Sequence, residues 1–183
     1  MVNIEDFQLK PISYDELNII LQWRNSKRVR SLMYTDHQID WEEHYQWFNK
    51  INKDPKKMVF VLYDKNKSLG IVSFSNINKD HSRCEWGFYI GDETAPKGSG
   101  TIMGILALDK IFNEVGLNKV CSQVFQDNTK SLGYHQKLGF EIEGKLIDHV
   151  QKNNRFIDVI QMALFAKKWV DVRPVLLHQL GGG

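Results

Sequence analysis

Apolar residues recur along the chain with two different periods, and these periods divide it into strands and helices. Alternating or continuous apolar runs predict seven strands, at residues 7–10, 58–64, 69–76, 83–90, 119–125, 140–146 and 156–165. Apolar residues at helical spacing predict helices that begin near Ser13, Trp41, Gly98 and Asn128. The order β-α-α-β-β-β-α-β-α-β-β favours a single α/β domain over residues 1–180.

Several start and stop signals support these elements. Ser13 with Glu16, and Asp40 with Glu43, have the spacing of a capping box that begins a helix. Two glycines are placed to close helices, Gly116 and Gly139. A polar turn over 151–155 is predicted to join the last two strands. Beyond Ala166 we expect helix as far as Leu180, and disorder over residues 181–183.

Composition narrows the classes of protein that the chain can represent. At 183 residues, with 42% hydrophobic and 25% charged residues, it is large enough for one well-packed core. A net charge of +2 argues against nucleic-acid binding. The chain shows neither a membrane-spanning run nor an apolar leader, so no membrane partner and a cytoplasmic location are expected.

The cysteines and histidines indicate no special chemistry. Cys84 and Cys121 fall in predicted strands, where cysteine most often acts as a small buried hydrophobe. The six histidines lack the spacing of metal ligands. We therefore expect no metal site.

The stretch from Arg83 to Val115 combines an aromatic strand, a glycine turn and a long helix. The first N–H groups of a helix lack intrahelical partners, so residues 98–101 form a candidate anion site. Gly98, Gly100 and the later Gly104 do not fit a dinucleotide fingerprint, and no Gly-Lys-Ser/Thr ending is present. A pyrophosphate cradle remains, and the alternative is an ordinary strand–helix turn.

A second motif follows the next strand, with Asn128, Ser131 and Tyr134 three residues apart and then Leu138-Gly139-Phe140. Together with the glycine turn and the element order, it resembles the GNAT superfamily of acyl-CoA-dependent N-acetyltransferases. This resemblance implies a mixed, splayed sheet of about seven strands flanked by about four helices. It also implies acetyl-CoA as co-substrate.

The superfamily's cofactor loop begins with Arg or Gln, but Ala95 stands at that position here. The backbone cradle is unaffected by this departure, and Lys97 could replace part of the charge. By resemblance, nine residues are expected to bind acetyl-CoA: Tyr89, Ile90, Lys97, Gly98, Ser99, Gly100, Thr101, Asn128 and Lys137. Backbone N–H groups near 89–91 could polarise the thioester carbonyl.

Two residues are expected to be catalytic. A carboxylate within a covered strand needs a partner or a wet cleft, so Glu85 is either a general base for the attacking amine or paired with Arg83 or another cation. Tyr134 matches the superfamily's general acid for the departing thiolate, and the alternative is aromatic packing. Alternation places Glu85 and Cys84 on opposite faces of their strand.

A narrower resemblance concerns the acceptor. The segments 21–25, 33–35 and 43–48 are similar to nucleotide-sugar N-acetyltransferases of the pseudaminic acid pathway, which serves flagellin glycosylation. It implies acetylation of the 4-amino group of UDP-4-amino-4,6-dideoxy-N-acetyl-β-L-altrosamine. The substrate residues would be Arg24, Met33, Tyr34, Trp47 and Tyr89. Arg28 and Arg30 could add charge for a diphosphate, whereas the tryptophans could instead pack helices onto the sheet.

Three hypotheses remain open at this stage. The acceptor is a UDP-amino sugar, or it is a protein N-terminus or small amine, or the chain is a silent acyl-CoA-binding module. Asn128 and Tyr134 argue against the silent module, and Ala95 argues for it. The oligomeric state is open, with a homodimer as one option.

Overall fold

The computed structural model describes residues 2–181, which form a seven-stranded mixed sheet with helices on both faces. The strand order is β1-β2-β3-β4-β5-β7-β6. The strands are Phe7–Pro11 (β1), Met58–Asp64 (β2), Lys67–Asn78 (β3), Arg83–Ile90 (β4), Lys119–Phe125 (β5), Glu141–Lys152 (β6) and Arg155–Phe165 (β7).

The sheet divides between β4 and β5, its one parallel pair within residues 2–181. Only three residue pairs join these strands, and the last is Glu85 with Cys121. Every other pair in the sheet is antiparallel. Beyond Glu85 the two strands separate, so the remainder of β4 presents one unpaired edge. We call this opening the fork.

Within residues 2–181, six α-helices surround the sheet, two more than the approximate number expected. They are Leu17–Asn25 (α1), Lys27–Arg30 (α2), Trp41–Ile51 (α3), Ser99–Asp109 (α4), Thr129–Lys137 (α5) and Ala166–Gly181 (α6). A 3₁₀ turn over Tyr14–Glu16 precedes α1, and a π-helical turn over Lys110–Glu114 extends α4. The additional helices are the single turn α2 and the C-terminal α6, which was expected as a helical tail.

The helix caps confirm most of the start and stop signals. The capping box at Ser13 and Glu16 is complete. Asp40 accepts from the N–H of Glu43, but the Glu43 carboxylate bonds His37 instead, so the reciprocal half of that box is missing. Gly116 and Gly139 both have positive φ after their helices, as C-terminal caps do.

Two apolar clusters lie on opposite faces of the sheet. The larger packs α4, α5 and α6 against the central strands, and Cys84 and Trp86 belong to it. The smaller packs α1 and α3 against β2 and β3; Trp23 is buried in it, and Trp47 and Tyr89 pack at its edge. We call these the α4 face and the α1 face. None of the helices within residues 2–181 combines the length and apolar composition of a membrane crossing.

Among the expected boundaries that differ in the structure, two lie in the C-terminal part of the chain. The strand predicted to end at Leu146 continues to Lys152, because a bulge between Leu146 and Val150 lets pairing with β7 resume. The turn therefore shortens to Asn153 and Asn154, both with positive φ. The predicted disorder over 181–183 is wrong at Gly181, which ends α6, while residues 182 and 183 lie outside the described residues.

Candidate active site

The glycine turn forms a helix N-terminus with two open N–H groups. Gly98 is the N-cap of α4, with a φ of 103° that favours glycine. The N–H of Ser99 donates to Pro96 O, so Ser99 is not part of the open cradle that the sequence predicted. Within residues 2–181, no acceptor lies within bonding distance of the Gly100 or Thr101 N–H. These two groups can bind an anion.

A lysine from a neighbouring helix approaches the same point. Lys137, at the end of α5, donates from Nζ to Thr101 Oγ1 at 3.1 Å. The Lys137 charge therefore lies beside the open N–H groups, and its contact with acetyl-CoA remains a prediction. Lys97 is exposed on the turn.

A cavity of about 430 Å³ connects this turn to the end of β4. It is lined by Arg28, Ile90, Asp92, Glu93, Ala95, Pro96, Gly98, Ser99 and Gly100. Four of the nine expected cofactor residues thus line one cavity.

The free edge of β4 begins at the fork and ends in this cavity. The N–H of Gly91 donates to Leu69 O, on the side of β3. Because the bonding direction alternates along an antiparallel strand, the N–H groups of Phe88 and Ile90 point to the opposite edge, into the fork. Of the N–H groups expected to polarise the thioester carbonyl, that of Ile90 is free to donate into the fork, whereas that of Gly91 already donates to Leu69 O.

Arg28 closes the end of that strand. Its two Nη atoms donate to Ile90 O at 2.9 Å and to Gly91 O at 2.7 Å. Its Nε lies 3.6 Å from Glu93. The guanidinium is therefore occupied by the chain itself, which contradicts the expectation that Arg28 faces a nucleotide diphosphate.

Tyr134 lies on the α4 face of the fork, against the first turn of α4. Its hydroxyl donates to Gly100 O at 2.6 Å, and its ring packs on Phe88 with centroids 4.7 Å apart. A Cβ at Gly104 would lie 2.5 Å from the Tyr134 hydroxyl, so only glycine leaves room for it. Burial raises the pKa of Tyr134, so the phenol keeps its proton.

Glu85 lies on the α1 face of β4, exposed to solvent. Among the described residues no Lys or Arg nitrogen forms an ion pair with it, which removes the paired alternative. The pKa of Tyr34 is raised by burial and then by the Glu85 charge, so these side chains are within electrostatic reach. Tyr34 donates to Gln123 Oε1 on β5 at 2.7 Å.

The loop that carries Met33 and Tyr34 covers this side of the fork. Arg24 Nη2 donates to Thr35 O at 2.7 Å, while Nη1 of Arg24 is buried without a partner within residues 2–181. Lys152, 7% exposed, donates to Ser31 O at 2.9 Å and to Met33 O at 2.7 Å. Residues 31–36 are thus held from both sides; we call them the acceptor loop.

Two expected site residues, Trp47 and Asn128, make contacts within the fold itself. Trp47 stacks on His44 with centroids 5.1 Å apart and is partly buried in the α1-face cluster. Asn128 caps α5 by accepting from the Ser131 N–H at 3.1 Å. A second cavity of about 460 Å³, between 51–54 and the strands β1 and β2, contains none of the expected site residues.

Among residues 2–181, no three His, Cys, Asp or Glu side chains are grouped closely enough to bind a metal ion. The absence of a metal remains a prediction.

Sequence reasoning did not identify several side chains around the fork. Gly104 was considered only because its position does not fit the dinucleotide-binding fingerprint. Its spacing of four from Gly100 nevertheless places both glycines on one face of the helix. His135 follows Tyr134 and has no motif of its own. Lys152 was not named, and Arg28 was named only as charge for a diphosphate. Both donate to backbone carbonyls distant in sequence, and no local pattern reveals such contacts.

Comparison with known proteins agrees with this geometry. The family model of the acetyltransferase (GNAT) domain matches residues 6–141. A Campylobacter jejuni acetyltransferase, PseH, is 29% identical over 142 residues, which is 78% of this chain and 86% of PseH. The Escherichia coli spermidine N(1)-acetyltransferase is 26% identical over 170 residues, covering 93% of this chain and 91% of that enzyme.

The solved structures include a Vibrio cholerae spermidine N-acetyltransferase in complex with CoA and spermine. It superposes with a TM-score of 0.85 at 25% identity, covering 91% of this chain and 99% of the other. The family match extends over most of the chain, and the neighbouring structure contains CoA. The chain therefore belongs to the GNAT acetyltransferase family, as an acetyl-CoA-dependent enzyme that transfers an acetyl group to an amine.

Proposed function

We propose that the acceptor is the 4-amino group of a UDP-linked 4-amino-4,6-dideoxy sugar, as in pseudaminic acid biosynthesis. The observation that carries this proposal is the buried, unpartnered Nη1 of Arg24 beside the acceptor loop. A buried guanidinium N–H without an acceptor is costly, and oxygen-rich substrates supply acceptors. The similarity to PseH points to the same class of substrate.

Acetyl-CoA fits the α4 face of the fork. Its pyrophosphate would accept from the Gly100 and Thr101 N–H groups, with Lys137 supplying charge. The pantetheine arm would lie along the free edge of β4 and bond Phe88 and Ile90 as an added strand does. Acetyl-CoA supplies the thioester carbonyl carbon that the amine attacks. Ala95 contributes no polar contact, so the two lysines provide the positive charge.

Glu85 would act as general base from the α1 face, since it is exposed, unpaired and carried on the strand that borders the fork. The amine must lose a proton to attack, and the carboxylate can accept it directly or through water. Tyr134 would give its proton to the leaving thiolate from the α4 face. Its raised pKa keeps the phenol protonated at neutral pH, so a proton is present for transfer.

These two roles have separate tests. Tyr134→Phe should lower kcat with little change in acetyl-CoA binding, and full turnover by that variant would remove Tyr134 as the acid. Glu85→Gln should alter the acidic limb of the pH–rate profile, and an unchanged profile would remove Glu85 as the base.

Spermidine is the second candidate acceptor, because spermidine acetyltransferases cover more of the chain than PseH does. The charges near the acceptor loop are mixed, since Glu43 and Asp36 act on Arg24 as Arg30 does, and Glu85 acts on Tyr34. The basic residues among them argue against a polycation. Arg24 has Arg30 close by, and Lys152 neutralises Asp36 at 3.6 Å. A polyamine bound here would be repelled by these positively charged side chains, or would have to compete with them for the nearby carboxylates.

CoA release with each acceptor decides between the candidates. We expect turnover with the UDP-amino sugar, and inhibition by UDP that is competitive with the sugar nucleotide. Turnover with spermidine, together with no binding of UDP, would overturn the proposal. CoA release with neither acceptor would leave the binding module as the better description.

Arg24→Gln tests the observation itself. We expect the KM of the sugar nucleotide to rise by about tenfold or more, as loss of a charged hydrogen bond implies, and the KM of acetyl-CoA to stay within about twofold. Lys27→Gln, at an exposed position, removes the same charge and serves as control. Equal effects of both changes would indicate general electrostatics rather than a contact.

Location and assembly are further proposals. Cys84 and Cys121 are free thiols, which suits a reducing compartment such as the cytoplasm. A homodimer remains a prediction that sedimentation can test.

A further inference from the structure

His135 lies beneath the fork, 2% exposed, and uses both ring nitrogens in hydrogen bonds. Nδ1 lies 2.7 Å from Ser131 O in its own helix. Nε2 lies 2.8 Å from Ser122 Oγ on β5 and 3.2 Å from Trp86 Nε1 on β4. One side chain thus joins three elements that meet at the fork.

The partners determine which nitrogen carries the proton. A carbonyl oxygen only accepts, so Nδ1 is the donor to Ser131. The indole N–H of Trp86 only donates, so Nε2 is the acceptor. Burial lowers the pKa of His135 to about 4, and the ring is neutral at neutral pH. Near pH 7 the neutral ring therefore donates from Nδ1 and accepts at Nε2, and it does not act as a proton carrier.

The bonds of Nε2 lie where the backbone ladder stops. The last paired residues of β4 and β5 are Glu85 and Cys121. Trp86 and Ser122 are the next residue on each strand, and His135 bonds both. The imidazole therefore links the two strands at the first position where backbone bonds do not.

The same side chain fixes helix α5 relative to β4. Tyr134 precedes it in the helix, and Phe88 packs against both rings, with centroids 4.7 Å from Tyr134 and 5.4 Å from His135. Phe140 closes the other side, edge to face at 5.0 Å. A shift of His135 would move Tyr134 with it.

We propose that His135 is a positioning residue for acetyl transfer. By bonding Trp86 and Ser122 across the fork, it sets the separation of β4 and β5 at the base of the cleft. It thereby holds Tyr134 in place beside the reacting atoms. The inference rests on the proposed position of the thioester in the fork and on the proposed role of Tyr134.

The alternative is a core histidine that contributes only to stability. In that case its loss lowers the folded fraction, but each folded molecule turns over normally. A positioning role instead lowers kcat in the folded protein. The pyrophosphate cradle consists mainly of the Gly100 and Thr101 N–H groups of α4, to which His135 makes no hydrogen bond, so CoA affinity should change less than kcat.

The first comparison is His135→Leu with His135→Gln, at saturating acetyl-CoA and with the acceptor that the wild type turns over. Leucine removes the acceptor that bonds Trp86 and Ser122, and the amide oxygen of glutamine can restore it. We expect kcat of the leucine variant to fall by about tenfold or more, and that of the glutamine variant to recover most of the loss. The Kd of CoA, measured by calorimetry, should stay within about twofold in both.

Ser122→Ala keeps the test decisive if the leucine variant does not fold. It removes one bond to Nε2, and we expect a loss in kcat of about three- to tenfold. If His135 acts through Tyr134, the loss caused by Ser122→Ala, and that caused by His135→Leu where it folds, should shrink in a Tyr134→Phe background, because coupled residues are not additive.

Three results would overturn the inference. The first is that His135→Leu and Ser122→Ala both keep the wild-type kcat per folded molecule. The second is that the leucine and glutamine variants lose kcat equally. The third is that the losses in kcat are fully additive with that of Tyr134→Phe. Each is read against wild-type turnover and against Tyr134→Phe alone. If Tyr134→Phe alone is impaired but one of these three results is found, the inference about His135 fails and the role of Tyr134 stands. If Tyr134→Phe alone is fully active, the assignment of Tyr134 itself fails.

Discussion

Replacement of Gly104 by alanine tests whether the position of the Tyr134 hydroxyl controls turnover. The new Cβ would lie 2.5 Å from that hydroxyl and 2.9 Å from Leu138 Cδ1. Ordinary carbon–oxygen contacts are about 3.4 Å, so the hydroxyl must move by roughly 1 Å. The bond from Tyr134 to Gly100 O would break or lengthen. A displacement of this size near the chemistry costs on the order of 10²-fold in rate.

The effect on stability should be much smaller. Overpacking costs about 1–3 kcal/mol, and alanine gains about 1 kcal/mol over glycine within a helix. The net loss for Gly104→Ala is therefore about 0–2 kcal/mol. Gly133→Ala is the matched control, since a Cβ there meets nothing within 4 Å. It should gain about 0.5–1 kcal/mol and keep wild-type kcat.

The assay measures CoA thiol release at saturating acetyl-CoA, with urea unfolding of the same samples. We expect a large loss of kcat in Gly104→Ala, little change in its free energy of unfolding, and normal turnover in Gly133→Ala. If Gly104→Ala retains wild-type kcat, the reasoning about the hydroxyl is refuted. If both variants lose activity equally, the effect comes from helix rigidity.

Three further changes extend these tests. Lys152→Met keeps the apolar stem but removes the donors to the acceptor loop. The KM of the acceptor should therefore rise about tenfold, while the KM of acetyl-CoA is unchanged. Equal changes in both KM values would contradict this prediction. Arg28→Ala leaves two carbonyls at the end of β4 without a charged donor and should cost about 1–3 kcal/mol in thermal unfolding, with Arg28→Lys recovering only part. Free His135 titrates near pH 6.5 but folded His135 near pH 4, so between these values the unfolded state binds more protons and stability falls with falling pH. The contribution is up to about 3 kcal/mol, and His135→Gln should flatten that part of the stability curve.

Much of the fold was predictable because its signals are local. Ser13 and Gly116 act within one turn of the helices that they bound, and alternation alone placed Glu85 and Cys84 on opposite faces. The end of β6 was not predictable in this way. Val150 resumes pairing after a bulge, and a bulge depends on the partner strand.

The candidate site likewise contains residues that short motifs predict and contacts that they do not. Gly100, Thr101 and Tyr134 belong to motifs with short spacing, and the structure brings them together. The contacts of Arg28 and Lys152 connect residues 62 and 119 positions apart. Such contacts follow from the completed sheet, so no pattern in a single sequence indicates them.

The three-pair ladder between β4 and β5 has a consequence for how the chain folds. Strands β2, β3 and β4 are joined by short turns, so their pairing needs little loop closure. Pairing of β5 with β4 must wait until the intervening α4 brings residue 119 back to residue 83. Nonlocal closure of this kind is slow, and the seam at Cys84 and Val120 should therefore acquire amide-exchange protection after the β2–β4 meander.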